Sequence, residues 1–379
     1  MELKNITVLG SGIMGHGIAQ VSAMSGYNVV LRDIEQQFLD KAMEKIKWSL
    51  DKLVSKEKIS QSQATDIYSR IKPIVDLKQA VKDCDLVIEA VPEIMELKRK
   101  VYSELDNVAT KNVIFASNTS TLPITEIANT TTRPEKFIGI HFFNPPQLMK
   151  LVEIIPGQKT SQEVLKITTD YVKSVKKEPV ICRKDVPGFI VNRLFIPLVH
   201  EACYVMDRQK IQLTEIDSAV KYNLGFPMGI FELADFTGMD VIHKATIEMH
   251  LRDKKVIRPH PKIEDLYNEK KLGQKSGEGF YKYTEQKYER ITLSEDLAKK
   301  CNPIQILANI LNNAAWLVTK GASDIQEIEN AAKLGLGLKK PLFDTAKEYG
   351  ISNIVTELES LSKKHGQFYE PDPLLISMK

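Results

Sequence analysis

The stretch Asn5-Ile-Thr-Val-Leu-Gly10-Ser-Gly12-Ile-Met-Gly15 decides the fold, because it runs from a buried strand into a glycine-rich turn. Its first residues are mostly apolar and predict the strand, and its glycines follow the pattern G-x-G-x-x-G. A segment with helical character, Ile18–Met24, and a second apolar run, Asn28–Leu31, come next. Strand, glycine turn, helix and strand in this order are the fingerprint of a dinucleotide-binding unit.

Each glycine of the pattern has a separate role in such a unit. Gly10 permits the tight turn, Gly12 lets the backbone approach a pyrophosphate at the helix N-terminus, and Gly15 allows close helix–strand packing. Asp33, at the end of the second run, is placed to bind the adenosine ribose hydroxyls. Its charge would repel a 2′-phosphate, which favours NAD over NADP. The neighbouring Arg32 weakens this preference for NAD, since its guanidinium could bind the 2′-phosphate of NADP.

Polar residues collect where the later predicted strands end. After two amphipathic, lysine-rich helical patterns over residues 35–70, strands are predicted at 73–75, 85–91 and 112–116. Ligands of open parallel sheets bind beyond the carboxyl ends of the strands. The polar groups at such ends are Glu89–Glu93, Ser117–Ser120 and His141.

A candidate catalytic hairpin extends from His141 to Glu153. The apolar run Phe137–Ile140 ends in the histidine, and Lys150–Ile155 follows a break at Pro145-Pro146. This pattern predicts two strands joined by a turn that could bring the two side chains together. A carboxylate on one imidazole nitrogen fixes the tautomer and leaves the other nitrogen to move protons. The alternative is a structural histidine at a strand end.

Composition narrows the functional classes. The chain has 379 residues, 43% of them hydrophobic, and a formal net charge of +3 with mixed signs, which gives no case for nucleic-acid binding. No apolar run reaches the roughly 18 residues that a membrane span needs. The N-terminus leads almost directly into a strand, so we expect no signal peptide. The cysteines are too dispersed for a metal site and fit a reducing cytoplasm; they are Cys84, Cys182, Cys203 and Cys301.

Helical periodicity dominates after the turn-rich segment Lys184–Gly188, and the helical part is duplicated. The last ninety or so residues repeat it without gaps at an offset of 112. The two copies are predicted to pack on each other through matching apolar faces. The matched positions are Thr214–Asp217 with Gln326–Glu329, Leu224-Gly225 with Leu336-Gly337, Phe231-Glu232 with Phe343-Asp344, and Gly238 with Gly350.

The first 283 residues resemble the (S)-3-hydroxyacyl-CoA dehydrogenase family. The repeated C-terminal part resembles longer members of that family, in which a tandem pair of helical domains replaces the pairing of two chains seen in short dimeric members. The motifs that carry the resemblance are Gly10–Gly15, Ser117–Ser120, His141-Phe-Phe-Asn-Pro145, Met149–Glu153, Val186–Arg193 and Gly277–Tyr281.

The resemblance implies roles for individual residues. His141 would be the acid–base residue and Glu153 its orienting partner, while Ser120 and Asn192 would bind the reacting 3-oxygen. Positions that contact NAD in the family match Gly10, Ser11, Gly12, Ile13, Met14, Gly15, Asp33, Glu93, Lys98, Ser120, Asn144 and Lys275. Positions that contact the CoA moiety match Ser49 and Lys56.

These observations predict an α/β Rossmann-type nucleotide-binding domain at 1–184, followed by all-α C-terminal domains at 185–285 and 295–379. The implied function is NAD-dependent interconversion of 3-hydroxyacyl-CoA and 3-oxoacyl-CoA, with a short-chain acyl-CoA substrate expected. We expect the helical domains to pair within one chain, giving a monomer or weak dimer. Two alternatives are a β-hydroxyacid-type NAD(P) dehydrogenase, which would use a lysine as its acid–base group, and a non-catalytic NAD-binding protein.

Overall fold

The computed structural model describes residues 2–284 and 290–379. It divides into two compact units, residues 1–185 and residues 186–379, which we call the first and second units. The predicted domain end at residue 285 lies outside the described residues. Among the described residues, no helix combines the length and apolar character that a membrane span requires.

The first unit is built on one sheet, which contains eight strands in the described part of the chain. They are β1 (Asn5–Leu9), β2 (Asn28–Arg32), β3 (Ile71–Ile74), β4 (Leu86–Glu89), β5 (Ile114–Ser117), β6 (Phe137–Phe142), β7 (Leu151–Pro156) and β8 (Glu178–Ile181). Their spatial order is β3-β2-β1-β4-β5-β6-β7-β8. Neighbours run parallel except β6 and β7, which form an antiparallel hairpin. The chain reverses its direction across the sheet between β1 and β4, which is where doubly wound folds bind ligands. The predicted α/β class is therefore confirmed.

Helices connect these strands. They are α1 (Ile13–Met24), α2 (Gln36–Ser55), α3 (Gln61–Ser69), α4 (Leu77–Ala80), α5 (Met95–Val108), α6 (Ile124–Ala128) and α7 (Gln162–Ser174). A short 3₁₀ turn, Pro134–Lys136, precedes β6. The predicted pair of helices over residues 35–70 is present as α2 and α3. The central strands β4, β5 and β6 are buried along their whole length, as expected for a sheet covered on both faces.

Several strands differ from their predicted bounds by one or two residues, including β5, which begins at Ile114 rather than at residue 112, and backbone hydrogen bonding explains two of these differences. β4 ends at Glu89 rather than Val91, because the Glu89 carboxylate accepts the Val91 N–H at 2.8 Å and Pro92 has no N–H to continue the ladder. β3 begins at Ile71 and contains Pro73. A proline is tolerated there because β3 is the edge strand of the sheet.

The glycine turn brings α1 unusually close to β1. Gly10 has a φ of +93°, a conformation that side chains with a Cβ rarely adopt. A Cβ on Gly15 would lie 1.7 Å from the carbonyl oxygen of Gly10. The packing of α1 therefore requires glycine at both positions, as the sequence predicted.

The second unit is helical. Its helices are α8 (Val191–Gln209), α9 (Leu213–Tyr222), α10 (Ile230–Thr237), α11 (Met239–Arg252), α12 (Pro261–Asn268), α13 (Glu295–Ala298), α14 (Ile304–Thr319), α15 (Ile325–Ala331), α16 (Leu342–Tyr349), α17 (Ile351–His365) and α18 (Pro373–Ser377). Short turns lie at Gln274–Ser276, Ala332–Leu336 and Gln367–Tyr369.

The backbone shows the same repeat as the sequence. α9, α10 and α11 begin 112 positions before α15, α16 and α17. The capping chemistry is also duplicated. The carboxylate of Asp217 accepts two backbone N–H groups at the start of α10, at 2.8 and 3.0 Å. Glu329 accepts two at the start of α16, at 2.6 and 2.8 Å.

The two copies pack on each other within the second unit, chiefly through α8 and α14. The Arg193 guanidinium lies 3.6 Å from the centre of the Trp316 ring, and its Nε donates to Asn313 at 3.0 Å. The matched glycine loops also meet, since the Lys339 N–H donates to the Gly225 carbonyl at 3.0 Å. The face of α8 that packs on α14 is thus covered within the chain.

Removing the second copy should uncover that face. Deleting residues 290–379 is expected to cause aggregation or forced dimerisation, because apolar side chains of α8 would lose their cover at roughly 25 cal/mol per Å² exposed. Light scattering coupled to size-exclusion chromatography is the measurement, with the full-length chain as control. A soluble, active monomer after truncation would show that the repeat is not needed to cover α8.

Candidate active site

His141 and Glu153 face each other across the β6–β7 hairpin. They are direct cross-strand partners, and the imidazole Nδ1 lies 2.8 Å from the Glu153 carboxylate Oε2. Both side chains are buried, the histidine at 5% exposure and the glutamate at 0%. His141 lies inside β6, which continues to Phe142, rather than just beyond the strand as expected. The strand pairing thus fixes the distance that the sequence could only suggest.

Asn118 connects this hairpin to the neighbouring strand end. Its side-chain oxygen accepts the N–H of Phe142 at 2.8 Å, and its own N–H donates to the Glu89 carbonyl at 2.8 Å. The polar segment after β5 was predicted as a cluster, but this individual role was not. Asn118 places the chain around Ser120 at the same sheet edge as His141.

A buried lysine holds two carboxylates beyond β4. Lys98, on α5, is 1% exposed, and its Nζ lies 2.6 Å from Glu89 and 3.3 Å from Glu93. Burial alone would lower the pKa of Lys98, but the two carboxylates outweigh it, so this pKa is raised. Burial likewise opposes ionisation of Glu93, yet Lys98 and the hydrogen bonds from Thr119 and Ser120 leave the pKa of Glu93 lowered.

Glu93 in turn organises the loop that contains Ser120. Its Oε1 accepts the Thr119 hydroxyl at 2.5 Å, the Ser120 N–H at 2.8 Å and the Thr121 N–H at 3.2 Å. A loop whose backbone donors point at one carboxylate is held in a single conformation. Of the residues predicted to contact NAD, Glu93, Lys98 and Ser120 are therefore brought together in one network.

The N-terminus of α1 fits a pyrophosphate. In the described part of the chain no side chain caps this helix, and its first turn carries no acidic residue. A Cβ built on Gly12 would meet nothing within 4 Å, so open space lies next to the backbone donors. Ile13 is 63% exposed and Met14 is partly buried beside it. Backbone donors at the positive end of a helix, with open space beside them, are the features that bind a dinucleotide phosphate.

Asp33 is fixed at the same edge by Ser11. The Asp33 Oδ2 accepts both the N–H and the hydroxyl of Ser11, at 2.7 and 2.6 Å. Ser11 is buried, so its side chain orients Asp33. The Nε of Arg32 donates to the carbonyl of Val75 at 3.0 Å. Ser11 holds the Asp33 carboxylate in place, and the Arg32 guanidinium is engaged by a backbone carbonyl. This arrangement favours ribose hydroxyls, which can donate to Asp33, over a 2′-phosphate, which Asp33 would repel.

The remaining predicted residues are distributed over both units. Asn144 is exposed in the turn after β6, where its peptide bond to Pro145 is cis. Asn192 lies in the first turn of α8 and is partly buried. The ammonium of Lys275 forms an ion pair with Asp240 at the start of α11. The contacts expected of these three residues with NAD or substrate stay predictions.

Ser49 and Lys56 line a cleft of about 550 Å³ between α2 and the turn after β6. Ser49 is held there by Gln20, whose amide donates to its hydroxyl at 2.9 Å. The sequence interpretation missed the other residues of this cleft, although Lys45, Ser49, Lys52 and Lys56 follow helical spacing and so share one face of α2. The cleft is lined by His16, Lys45, Trp48, Ser49, Lys52, Leu53, Lys56, Pro145, Gln147 and Leu148.

Comparison with known families is decisive at this point. The sequence profile of the 3-hydroxyacyl-CoA dehydrogenase NAD-binding domain matches residues 5–186. The profile of the 3-hydroxyacyl-CoA dehydrogenase C-terminal domain matches twice, at residues 188–283 and 305–378. The chain belongs to the 3-hydroxyacyl-CoA dehydrogenase family. The double match agrees with the repeat seen in the backbone.

Individual relatives of this dehydrogenase cover different shares of the chain. The mitochondrial hydroxyacyl-coenzyme A dehydrogenase of Rattus norvegicus is 43% identical over 288 residues, 74% of this chain and 91% of its own. A probable 3-hydroxybutyryl-CoA dehydrogenase of Deinococcus radiodurans is 42% identical over 278 residues, 73% and 99% of the two chains. The crystal structure of 3-hydroxybutyryl-CoA dehydrogenase from Escherichia coli K12 covers 100% of this chain and 98% of its own, with a TM-score of 0.90 and 26% identity.

Family membership confirms the predicted function. The protein is an NAD-dependent oxidoreductase that interconverts 3-hydroxyacyl-CoA and 3-oxoacyl-CoA. The two alternatives, a lysine-dependent β-hydroxyacid dehydrogenase and a non-catalytic nucleotide-binding protein, are thereby disfavoured. The His141–Glu153 pair is compatible with this function, because an imidazole beside a carboxylate is a group that can transfer protons.

Replacing Lys98 tests the charge network of this site. Lys98→Met should destabilise the protein at neutral pH by about 3 kcal/mol, because the buried carboxylate of Glu89 and the partly buried carboxylate of Glu93 lose their counter-charge. The loss should shrink as the pH falls, since uncompensated buried carboxylates take up protons. Urea unfolding across a pH series measures both effects.

Lys100→Met is the matched control, because Lys100 lies on the same helix and is exposed. It should change stability little at any pH. If Lys98→Met and Lys100→Met unfolded at the same urea concentration, the buried lysine would not hold the site together.

Proposed function

We propose that His141 is the acid–base residue of the dehydrogenase and that Glu153 orients it. The supporting observation is the 2.8 Å contact between Nδ1 and the buried carboxylate. A carboxylate only accepts, so the ring proton resides on Nδ1 and proton transfer falls to Nε2. In oxidation Nε2 takes the proton of the 3-hydroxyl; in reduction the imidazolium returns it to the 3-oxygen. NAD, when bound, would accept the hydride that leaves C3 of the substrate in oxidation and would return it, as NADH, in reduction.

Ser120 and Asn192 are proposed to donate hydrogen bonds to the 3-oxygen. This role is supported for Ser120 by the Glu93 network, which holds its backbone in one conformation. A donor fixed in advance stabilises the charge that develops on the oxygen at little reorganisation cost, typically a few kcal/mol each. Asn192 is proposed from its family position and its place in the first turn of α8.

The cleft against α2 is proposed to hold the CoA moiety. None of the described residues lining it is acidic, while Lys45, Lys52 and Lys56 contribute positive charge. Trp48 is 60% exposed there, which offers an aromatic face to an adenine ring. The charge and shape of the cleft match an anionic nucleotide with an attached chain better than an uncharged metabolite.

The expected substrate is a short-chain thioester, acetoacetyl-CoA or 3-hydroxybutyryl-CoA. The support for this is that relatives from Deinococcus radiodurans and Escherichia coli carry the name 3-hydroxybutyryl-CoA dehydrogenase. We further propose that one chain is the minimal active assembly, a monomer or weak dimer, because the second copy covers α8. A cytoplasmic location is proposed from the dispersed cysteines, which are buried thiols.

The acid–base assignment is tested by His141→Gln. With acetoacetyl-CoA and NADH, kcat should fall by at least roughly 10²-fold while NADH affinity changes little. Glu153→Gln should also be impaired, though less, since the imidazolium loses its counter-charge. Steady-state kinetics and a fluorescence titration of NADH are the measurements.

His365→Gln, a part-exposed histidine on α17, serves as the control and should keep wild-type turnover. Near-wild-type turnover in His141→Gln would end this mechanism. Inactivity of the wild-type enzyme toward acyl-CoA substrates of every chain length would end the functional assignment itself.

The docking proposal is tested by reversing one charge. Lys56→Glu should raise KM for acetoacetyl-CoA by roughly three- to tenfold at low ionic strength and leave KM for NADH unchanged. Lys41→Glu is the matched control, because Lys41 is exposed on the same helix but does not line the cleft. Equal KM values for acetoacetyl-CoA in the two variants would mean that the lysines of α2 only face solvent.

A further inference from the structure

His16 lies where the glycine turn and the cleft against α2 meet. It is on the first turns of α1, and its Nδ1 is 2.6 Å from the carbonyl oxygen of Gly12. Because a carbonyl oxygen only accepts, Nδ1 carries the proton in this contact. The second ring nitrogen, Nε2, is therefore unprotonated in the neutral side chain and open to a further partner.

The surroundings of His16 are cationic on the cleft side. The ring lines the cleft, and within residues 2–284 and 290–379 no protein group forms a hydrogen bond with Nε2. The charged groups that α2 contributes to this cleft are Lys45, Lys52 and Lys56. The turn on the opposite side contributes none, since its lining residues are Pro145, Gln147 and Leu148.

This environment keeps His16 neutral until an anion arrives. Burial lowers the pKa of His16, the hydrogen bond to Gly12 raises it, and the charge of Lys45 lowers it further, with a net lowering. A phosphate in the cleft would reverse the balance, because an anion beside the ring stabilises the imidazolium and offers an acceptor to Nε2.

We propose that His16 is a proton-linked binding residue for a phosphate group of the CoA moiety. As the phosphate enters, Nε2 takes up one proton from solvent and donates it in a hydrogen bond to a phosphate oxygen. The inference rests on the proposal that this cleft holds CoA, and it adds a pH-dependent contact that the lysines cannot supply. Lysine ammonium groups stay charged over the whole neutral range.

The direction of the pH dependence follows from the difference in the pKa of His16 between the phosphate-bound and the ligand-free protein. The pKa of His16 is higher with phosphate bound than without it, so CoA should bind more tightly as the pH falls through the bound-state value. The gain should level off below the pKa of the ligand-free protein. For a one-unit displacement of the pKa we expect the affinity for CoA to rise from about pH 8 downward, with a total gain of about tenfold once the pH lies below the pKa of the ligand-free protein.

Calorimetric titration of the full-length protein with CoA is the test. Repeating it in buffers with different ionisation enthalpies gives the number of protons taken up. His16→Asn keeps a donor for the Gly12 carbonyl but lacks the distal nitrogen, so its proton uptake should disappear. His16→Gln places an amide donor near that nitrogen and should bind CoA with no uptake through this position.

His365→Asn is the matched control and should take up protons as the wild type does. Dephospho-CoA and pantetheine identify the phosphate involved. Uptake that depends on His16 with both CoA and dephospho-CoA assigns the pyrophosphate, and uptake with CoA alone assigns the 3′-phosphate. Pantetheine should give none. Dephospho-CoA lacks the phosphate monoester whose own titration near neutral pH would add to the signal.

The outcomes separate this inference from the docking proposal on which it rests. If CoA binds and His16→Asn takes up as many protons as the wild type, the proposed role of His16 is wrong, while the proposal that the cleft holds CoA is retained. If CoA quenches no Trp48 fluorescence and shows no binding heat at any pH, the docking proposal fails first. Trp48→Phe identifies that signal, since Trp316, the second tryptophan of the chain, lies in the other unit.

Discussion

The ammonium of Lys98 between two carboxylates is the interaction on which the catalytic edge of the sheet depends. Glu89 ends β4 and takes the hydroxyl of Ser117 at 2.7 Å, so β4 and β5 share one charged centre. Glu93 extends this centre to the loop of Ser120, and Asn118 extends it to β6. Burying Lys98 and Glu89 is expensive in desolvation, and the group persists because the ammonium lies between both carboxylates and each member is hydrogen-bonded. The geometry around His141 is thus set by electrostatics beneath the site as well as by strand pairing.

Much of this arrangement could be predicted from the sequence, because it depends on local patterns. The glycine turn, the alternation of strands and helices, and the hairpin of His141 and Glu153 each have a signature within some fifteen residues. Lys98 shows what could not be predicted. On a charged helix such as α5 a lysine normally faces solvent, and only the packing of α5 against β4 and β5 buries it. The same limit applied to Asn118, whose role depends on a strand paired to it from elsewhere in the chain.

The cleft against α2 was indicated in the sequence only through Ser49 and Lys56, and its other lining residues were not predicted. Four polar or basic side chains recur there at helical spacing, which is also the usual pattern of a solvated face. What distinguishes them is the turn after β6, which closes the opposite side of the cleft and comes from residues about a hundred positions away. Gly17 permits that closure, because a Cβ there would lie 2.9 Å from Pro146. Tertiary contact, rather than residue type, separates a helix face that lines a cleft from one that faces solvent.

The contact between Arg193 and Trp316 bears on which substitutions the duplicated helices can accept during evolution. In a two-fold dimer every substitution appears on both sides of the interface, so only self-complementary surfaces survive. Here the positions equivalent by the repeat are Gln305 and Tyr204, and they do not reproduce the stacking; Gln305 instead accepts from Arg208 at 2.9 Å. Because the two copies lie in one chain, a substitution in one copy is not imposed on the other. One copy can retain the residues that face substrate while its partner adapts as a dedicated scaffold.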